Sequence, residues 1–180
     1  MRLSTVDGAG FELRIVGYQF PDILTEGYEP PKFLVFGDGS KLELLIEDDG
    51  LPSPLTSYDA NWLEIEGSVQ HSQGEWTFRD PCLLADGVAR LADWLEAVAG
   101  GTEDDSNCGF IEPNLCFDRV GVGGKRCLRV SFSAEAKPAW AKPGEEVSVD
   151  FPVAGLDLAS AVAALREQLC QFPQRAEYFC

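Results

Sequence analysis

Residues 61–101 read "NWLEIEGSVQHSQGEWTFRDPCLLADGVARLADWLEAVAGG", and the hydrophobic period changes partway through. In "NWLEIEGSVQ" (61–70), Trp62 and Ile65 are set against Glu64 and Glu66. After a polar turn at His71, Ser72, Gln73 and Gly74, "GEWTFRD" places Trp76 and Phe78 on one face. Two such runs around a short turn predict a β-hairpin. From residue 80 the spacing becomes helical, with Leu84, Val88, Leu91, Leu95 and Val98 three or four residues apart. Asp80 stands where an N-cap would, Pro81 at a first helical position, and Gly100-Gly101 at a left-handed end. Losing that Asp80 cap is expected to cost about 1 kcal/mol. A hairpin running directly into a helix points to α+β architecture rather than a parallel α/β fold.

The flanking sequence extends the pattern. "GFELRIVGYQF" (10–20) sets Phe11, Leu13 and Ile15 against Glu12 and Arg14, a half-buried strand. "YEPPKFLVFGDGSKLELLIEDDG" (28–50) predicts two strands around a Gly37-Asp38-Gly39-Ser40 turn, with Pro30 and Pro31 kept out of the ladder. "CGFIEPNLCFDRV" (108–120) and "KRCLRVSFSAE" (125–135) read as strands joined through Gly121-Val122-Gly123-Gly124, with Pro113 at an edge or bulge. "EEVSVDFPV" (145–153) adds a short strand. In "LDLASAVAALREQLCQF" (156–172), Leu158, Val162, Leu165, Leu169 and Phe172 form one helical stripe that Pro173 ends. The expected fold is a mostly antiparallel sheet of about eight strands with two amphipathic helices packed on it, formed by residues 1–180 as one domain.

Charge narrows the function. Fourteen Lys plus Arg stand against 30 Asp plus Glu, a formal net charge of −16 over 180 residues. A surface this acidic repels nucleic acid and anionic lipid and draws a basic partner in a salt-dependent way. Near the N-terminus there is no apolar core of a signal peptide, and no run reaches the roughly 20 apolar residues of a bilayer span. A cytoplasmic protein is therefore expected. The six cysteines, at 82, 108, 116, 127, 170 and 180, form no Cys-x-x-Cys pair. In a reducing compartment Cys116, Cys127 and Cys170 read as small core residues, and Cys180 as exposed.

Catalytic candidates fall away one by one. "RVGVGGKRC" (119–127) lacks the spacing of a phosphate loop, because Gly124-Lys125 is followed by Arg126 and Arg119 stands where the first glycine belongs. His71, the single histidine, lies in a predicted turn, and no Gly-x-Ser-x-Gly elbow exists. Asp59, Glu112 and Asn114 carry the oxygen donors that Ca²⁺ or Mg²⁺ prefers, yet no spaced loop frames them, so no metal or cofactor is expected. Asp59 and Asn61 read as turn residues at a strand entry. Trp62 reads as a core anchor whose replacement by Ala would cost roughly 3–5 kcal/mol.

Five segments occur in a particular order: "GYQFPD" (17–22), "DANWLEIEGSV" (59–69), "GEWTFRDPCLLADGVARLADWL" (74–95), "FIEPNLCF" (110–117) and "LRVSFSAEAKPAW" (128–140). Together the chain resembles the WapI-like immunity proteins of bacterial polymorphic toxin systems. The Asp-x-Asn-Trp-Leu and Glu-Pro-Asn-Leu runs are the most particular parts of that resemblance. It implies a non-enzymatic cytoplasmic protein that binds and blocks a cognate toxin domain, often a nuclease, with no family catalytic residues. A basic toxin would meet acidic loops. The candidate contacts are Glu47, Asp48 and Asp49, then Glu103, Asp104 and Asp105, with Trp140 between Pro138 and Pro143 as an aromatic anchor or an edge-packing residue. The alternatives are a small-ligand or metal-binding module and an enzyme built on a carboxylate pair.

Overall fold

The computed structural model describes residues 1–6, 8–21, 58–102, 106–142 and 144–175, and the backbone of 33–35 and 41–43. Among the described residues there are ten strands: β1 Arg2–Ser4, β2 Gly10–Tyr18, β3 Phe33–Val35, β4 Lys41–Glu43, β5 Trp62–His71, β6 Gly74–Leu84, β7 Asn107–Gly109, β8 Leu115–Val122, β9 Lys125–Phe132 and β10 Val147–Pro152. Among the described residues the two long helices are α1 Ala85–Gly100 and α2 Leu158–Gln171. The fold is α+β. Eight strands divide into two four-stranded antiparallel sheets, ordered β1-β2-β5-β6 and β10-β9-β8-β7, while β3 and β4 pair separately. The Gly37–Ser40 turn expected between β3 and β4 lies outside the described residues.

Period-two patterning forms the inner faces. Phe11, Leu13 and Ile15 of β2 and Leu63, Ile65 and Val69 of β5 are buried, and Glu64 and Glu66 pair outward with Arg79 and Arg14. The sheets meet through aromatic rings. Phe11 packs edge-on to Phe132 at 5.4 Å, and Trp76 packs on the same ring at 5.2 Å. The fully buried rings of Phe11 and Phe132 each contribute roughly 1.5–3 kcal/mol. Phe78 lies over Gly67, its cross-strand partner, where an added Cβ would stand only 2.0 Å from the ring. Both sheets and both helices share one hydrophobic cluster. Gln168 of α2 ties the helical pair to β2, its Oε1 accepting the Ile15 N–H at 2.7 Å.

Local chemistry agrees with the sequence at several turns. Gly123 and Gly124 have φ of 56° and 75°, the left-handed pair that a two-residue hairpin between Val122 and Lys125 requires. Gly101 closes α1 at φ 67°. Asp157 caps α2, accepting the Ser160 N–H at 3.0 Å.

Four expectations are corrected. Asp80 is not an N-cap: β6 continues through Leu84, α1 begins at Ala85, and Leu84 at the cap position makes no side-chain cap bond. Cross-strand pairing of Ile65 with Asp80 and of Trp62 with Leu84 outweighs the local Asp-Pro signal. The segment 108–120 is not one strand, because β7 and β8 pair with each other around residues 110–114, which puts Pro113 in the connection. Trp62 is half-buried, and the neighbouring Leu63 is the fully buried residue. Of the cysteines expected in the core, Cys127 is buried, Cys116 partly so, and Cys170 is exposed on α2.

Candidate partner-binding surface

Glu47, Asp48, Asp49, Glu103, Asp104 and Asp105 lie outside the described residues. Trp140 is described and is 39% exposed. It sits in the loop before β10, parallel to His71 at 6.4 Å and edge-on to Trp76 at 5.9 Å. Trp76 in turn donates its indole N–H to the Ala136 carbonyl at 3.0 Å. His71 is a turn residue, its Nδ1 accepting the Gln73 N–H at 3.3 Å. Trp140 therefore packs across one end of the β5–β6 hairpin while keeping part of its ring in solvent.

The two runs that carry the resemblance hold the buried polar residues. Among the described residues these are Asn61, with no exposure, and Asn114, 2% exposed. Asn61 spends its groups on joints: its backbone carbonyl accepts the first N–H of α1, from Ala85, at 3.1 Å, and its side-chain Oδ1 accepts the Arg175 N–H at 2.6 Å. The first joint satisfies an α1 donor that no side-chain cap reaches. Asn114 donates its amide to Asp80 Oδ2 at 3.1 Å and to Glu135 Oε2 at 3.2 Å, tying β6 to the turn after β9. Among the described residues, no group of three or more His, Cys, Asp or Glu side chains is gathered in a way that could hold a metal ion.

Carboxylates gather around these joints. Burial, then the charges of Glu135, Glu112 and Glu64, raise the Asp80 pKa above its ordinary value, with the Asn114 bond opposing. Asp80 is half-buried and Glu135 exposed, so the pair does not sit deep in an apolar cleft. The buried Cys82 thiol is pushed up to about 12, by burial and then by Asp80, which keeps it protonated and non-nucleophilic at neutral pH.

Beside this cluster the chain presents an apolar patch that the sequence reading missed. Tyr58 packs edge-on to Trp62 at 6.0 Å. Ile111 is 65% exposed in the β7–β8 connection. Trp62, Leu84, Gly87, Phe110 and Ile111 line a recess of about 40 Å³. Arg90 braces one wall, donating to the Gly109 carbonyl at 2.8 Å with its guanidinium 5.9 Å from the Phe110 ring. Gly87 lets Phe110 approach: a Cβ there would meet its ring at 3.3 Å. The rim is acidic. Desolvation and the charges of Asp86, Asp59 and Glu112 raise the Tyr58 pKa. Burial raises Asp59, whose carboxylate accepts the Trp62 indole N–H. The sequence signal was the polar run Asp59–Asn61 before Trp62, read only as a strand entry.

An open cleft of about 330 Å³ separates α1 and α2, lined by alanines, Leu158 and Val162 and edged by Arg166, which pairs with Glu96 at 2.7 Å and Asp93 at 3.1 Å. Its polar edge is a surface ion pair, without the converging polar groups of a small-molecule site. Among the described residues no helix is long and apolar enough to cross a membrane.

An α+β scaffold whose two most particular polar runs serve as joints, and which presents an apolar patch edged by carboxylates, has the make-up of a recognition domain. The model of the immunity protein WapI-like family matches residues 33–173, and the chain belongs to that family. No curated protein matches the sequence. Family membership gives the general role, neutralising a cognate toxin by binding it, in a family that is generally non-catalytic.

Proposed function

We propose that this chain acts in the cytoplasm, as a single unit and without catalysis of its own, by masking the cationic face of a basic toxin domain such as a nuclease. The observation that carries this reading is the formal charge of −16 on a member of an immunity family. A nuclease grips phosphate through Lys and Arg, so an acidic protein competes for that surface and associates quickly. The absence of phosphate-loop and nucleophile-elbow motifs supports a role without turnover. The test is co-expression with the toxin domain encoded beside its gene. Restored growth and a complex isolated at low salt are expected. Persistent killing with no complex would contradict the proposal.

A further inference from the structure

Residues 58–62, 84–87 and 110–112 are far apart in sequence and meet at one surface. Its centre is apolar: exposed Ile111, the Tyr58–Trp62 pair and the recess beneath them. Its rim carries Asp59, Asp86 and Glu112, all close enough to act on Tyr58. Glu112 also acts on Asp80, next to Glu135 and Glu64, so the negative field continues from the patch along β6.

We infer that this face, and not the Trp140 platform, is where the toxin docks, and that it receives a segment bearing an arginine or lysine beside an apolar side chain. This rests on the toxin-binding reading above. An apolar centre ringed by charge is the anatomy of an interface hot spot, where aromatic anchors supply affinity and the rim excludes water. The recess of about 40 Å³ has room for about three waters, or the tip of one side chain, which suits a protein partner rather than a metabolite. A cation entering beside Tyr58 and Trp62 meets aromatic surface and carboxylates together, the pairing that favours arginine. The positive charge already present, Arg90, is committed to the Gly109 carbonyl and the Phe110 ring. Trp140, by contrast, is packed against His71 and Trp76 of its own chain.

The test measures Kd for an inactivated form of the toxin domain encoded beside the gene, against wild type, Ile111→Arg, Glu112→Arg, Trp140→Ala and Val122→Arg. Val122 is 40% exposed at the far end of β8, on the order of 20 Å from Leu115, and serves as the control. Ile111 is 65% exposed, so melting temperature is expected to stay at the wild-type value. Ile111→Arg is expected to weaken binding by roughly thirtyfold or more, and Glu112→Arg by about tenfold with a shallower salt dependence. Val122→Arg is expected to leave binding unchanged. The inference is overturned if both patch variants bind within about threefold of wild type, whether or not Trp140→Ala loses affinity. Wild-type protein that fails to bind the toxin domain overturns this inference and the toxin-binding reading together.

Discussion

Asn61 Oδ1 accepts the backbone N–H of Arg175 at 2.6 Å across 114 residues of chain. The Arg175 guanidinium then reaches the carbonyls of Phe20 at 3.0 Å and Pro21 at 2.8 Å, lying 4.6 Å from the Tyr18 ring. One residue near the C-terminus thus clasps the exit of β2 to the entry of β5. Asn61→Ala removes a fully buried side chain and takes the acceptor from the part-buried Arg175 N–H, and is expected to destabilise the fold by about 1–3 kcal/mol. Arg175→Ala keeps the backbone bond and is expected to cost less, about 0.5–1.5 kcal/mol. Urea unfolding of the two variants checks both the size and the order.

Gly67 exists for the ring of Phe78. With a Cβ only 2.0 Å from that ring, Gly67→Ala must displace either the ring or the strand. The expected loss is about 1–3 kcal/mol, the scale of core overpacking. Part of it should return in a Gly67→Ala, Phe78→Leu double variant, so the two changes are expected to be non-additive in denaturant melts.

Asp80 gives a pH signature. Its folded pKa is raised by burial and by Glu135, Glu112 and Glu64. Its contribution to stability is therefore complete below the unfolded aspartate value and is lost as pH rises through the folded value. Asp80→Asn keeps an acceptor for Asn114 and removes the charge. The variant is expected to match wild type at the acid end, then become the more stable protein as pH climbs past the raised value, with a constant gap at neutrality. Unfolding free energies of both proteins across that range check the sign.

Trp62 separates stability from recognition. It is half-buried and its indole N–H is engaged by Asp59. Trp62→Ala is expected to cost clearly less than the roughly 3–5 kcal/mol of a fully buried aromatic. It should nevertheless weaken toxin binding, and thermal melts and Kd measured on one preparation distinguish the two effects.

Much of the scaffold was legible because local chemistry and tertiary packing agree there. The alternation in β2, the Gly123-Gly124 turn and the Leu158–Val162–Leu165 stripe each carry their own signal. The start of α1 was misread because Asp80-Pro81 imitates a helix start, and only pairing with β5, a non-local fact, keeps residues 80–84 extended. Division into two sheets was invisible for the same reason: no single strand records which neighbour it joins. The patch was missed because its parts come from the approach to β5, the start of α1 and the β7–β8 connection. Residues 59–61 read as a strand entry, 84–87 as helix and 110–112 as strand, and no one of these segments records the other two. Of the contacts proposed from charge, only Trp140 falls among the described residues, and its stacking on His71 depended on a turn brought close by folding.

Stopped-flow association of the chain with its neighbouring toxin domain, followed across ionic strength, tests the central claim most directly. If an acidic face captures a basic partner, the association rate is expected to fall at least about tenfold between low and high salt, with a smaller change in dissociation. An association rate indifferent to salt, for a toxin that is still neutralised, would contradict it.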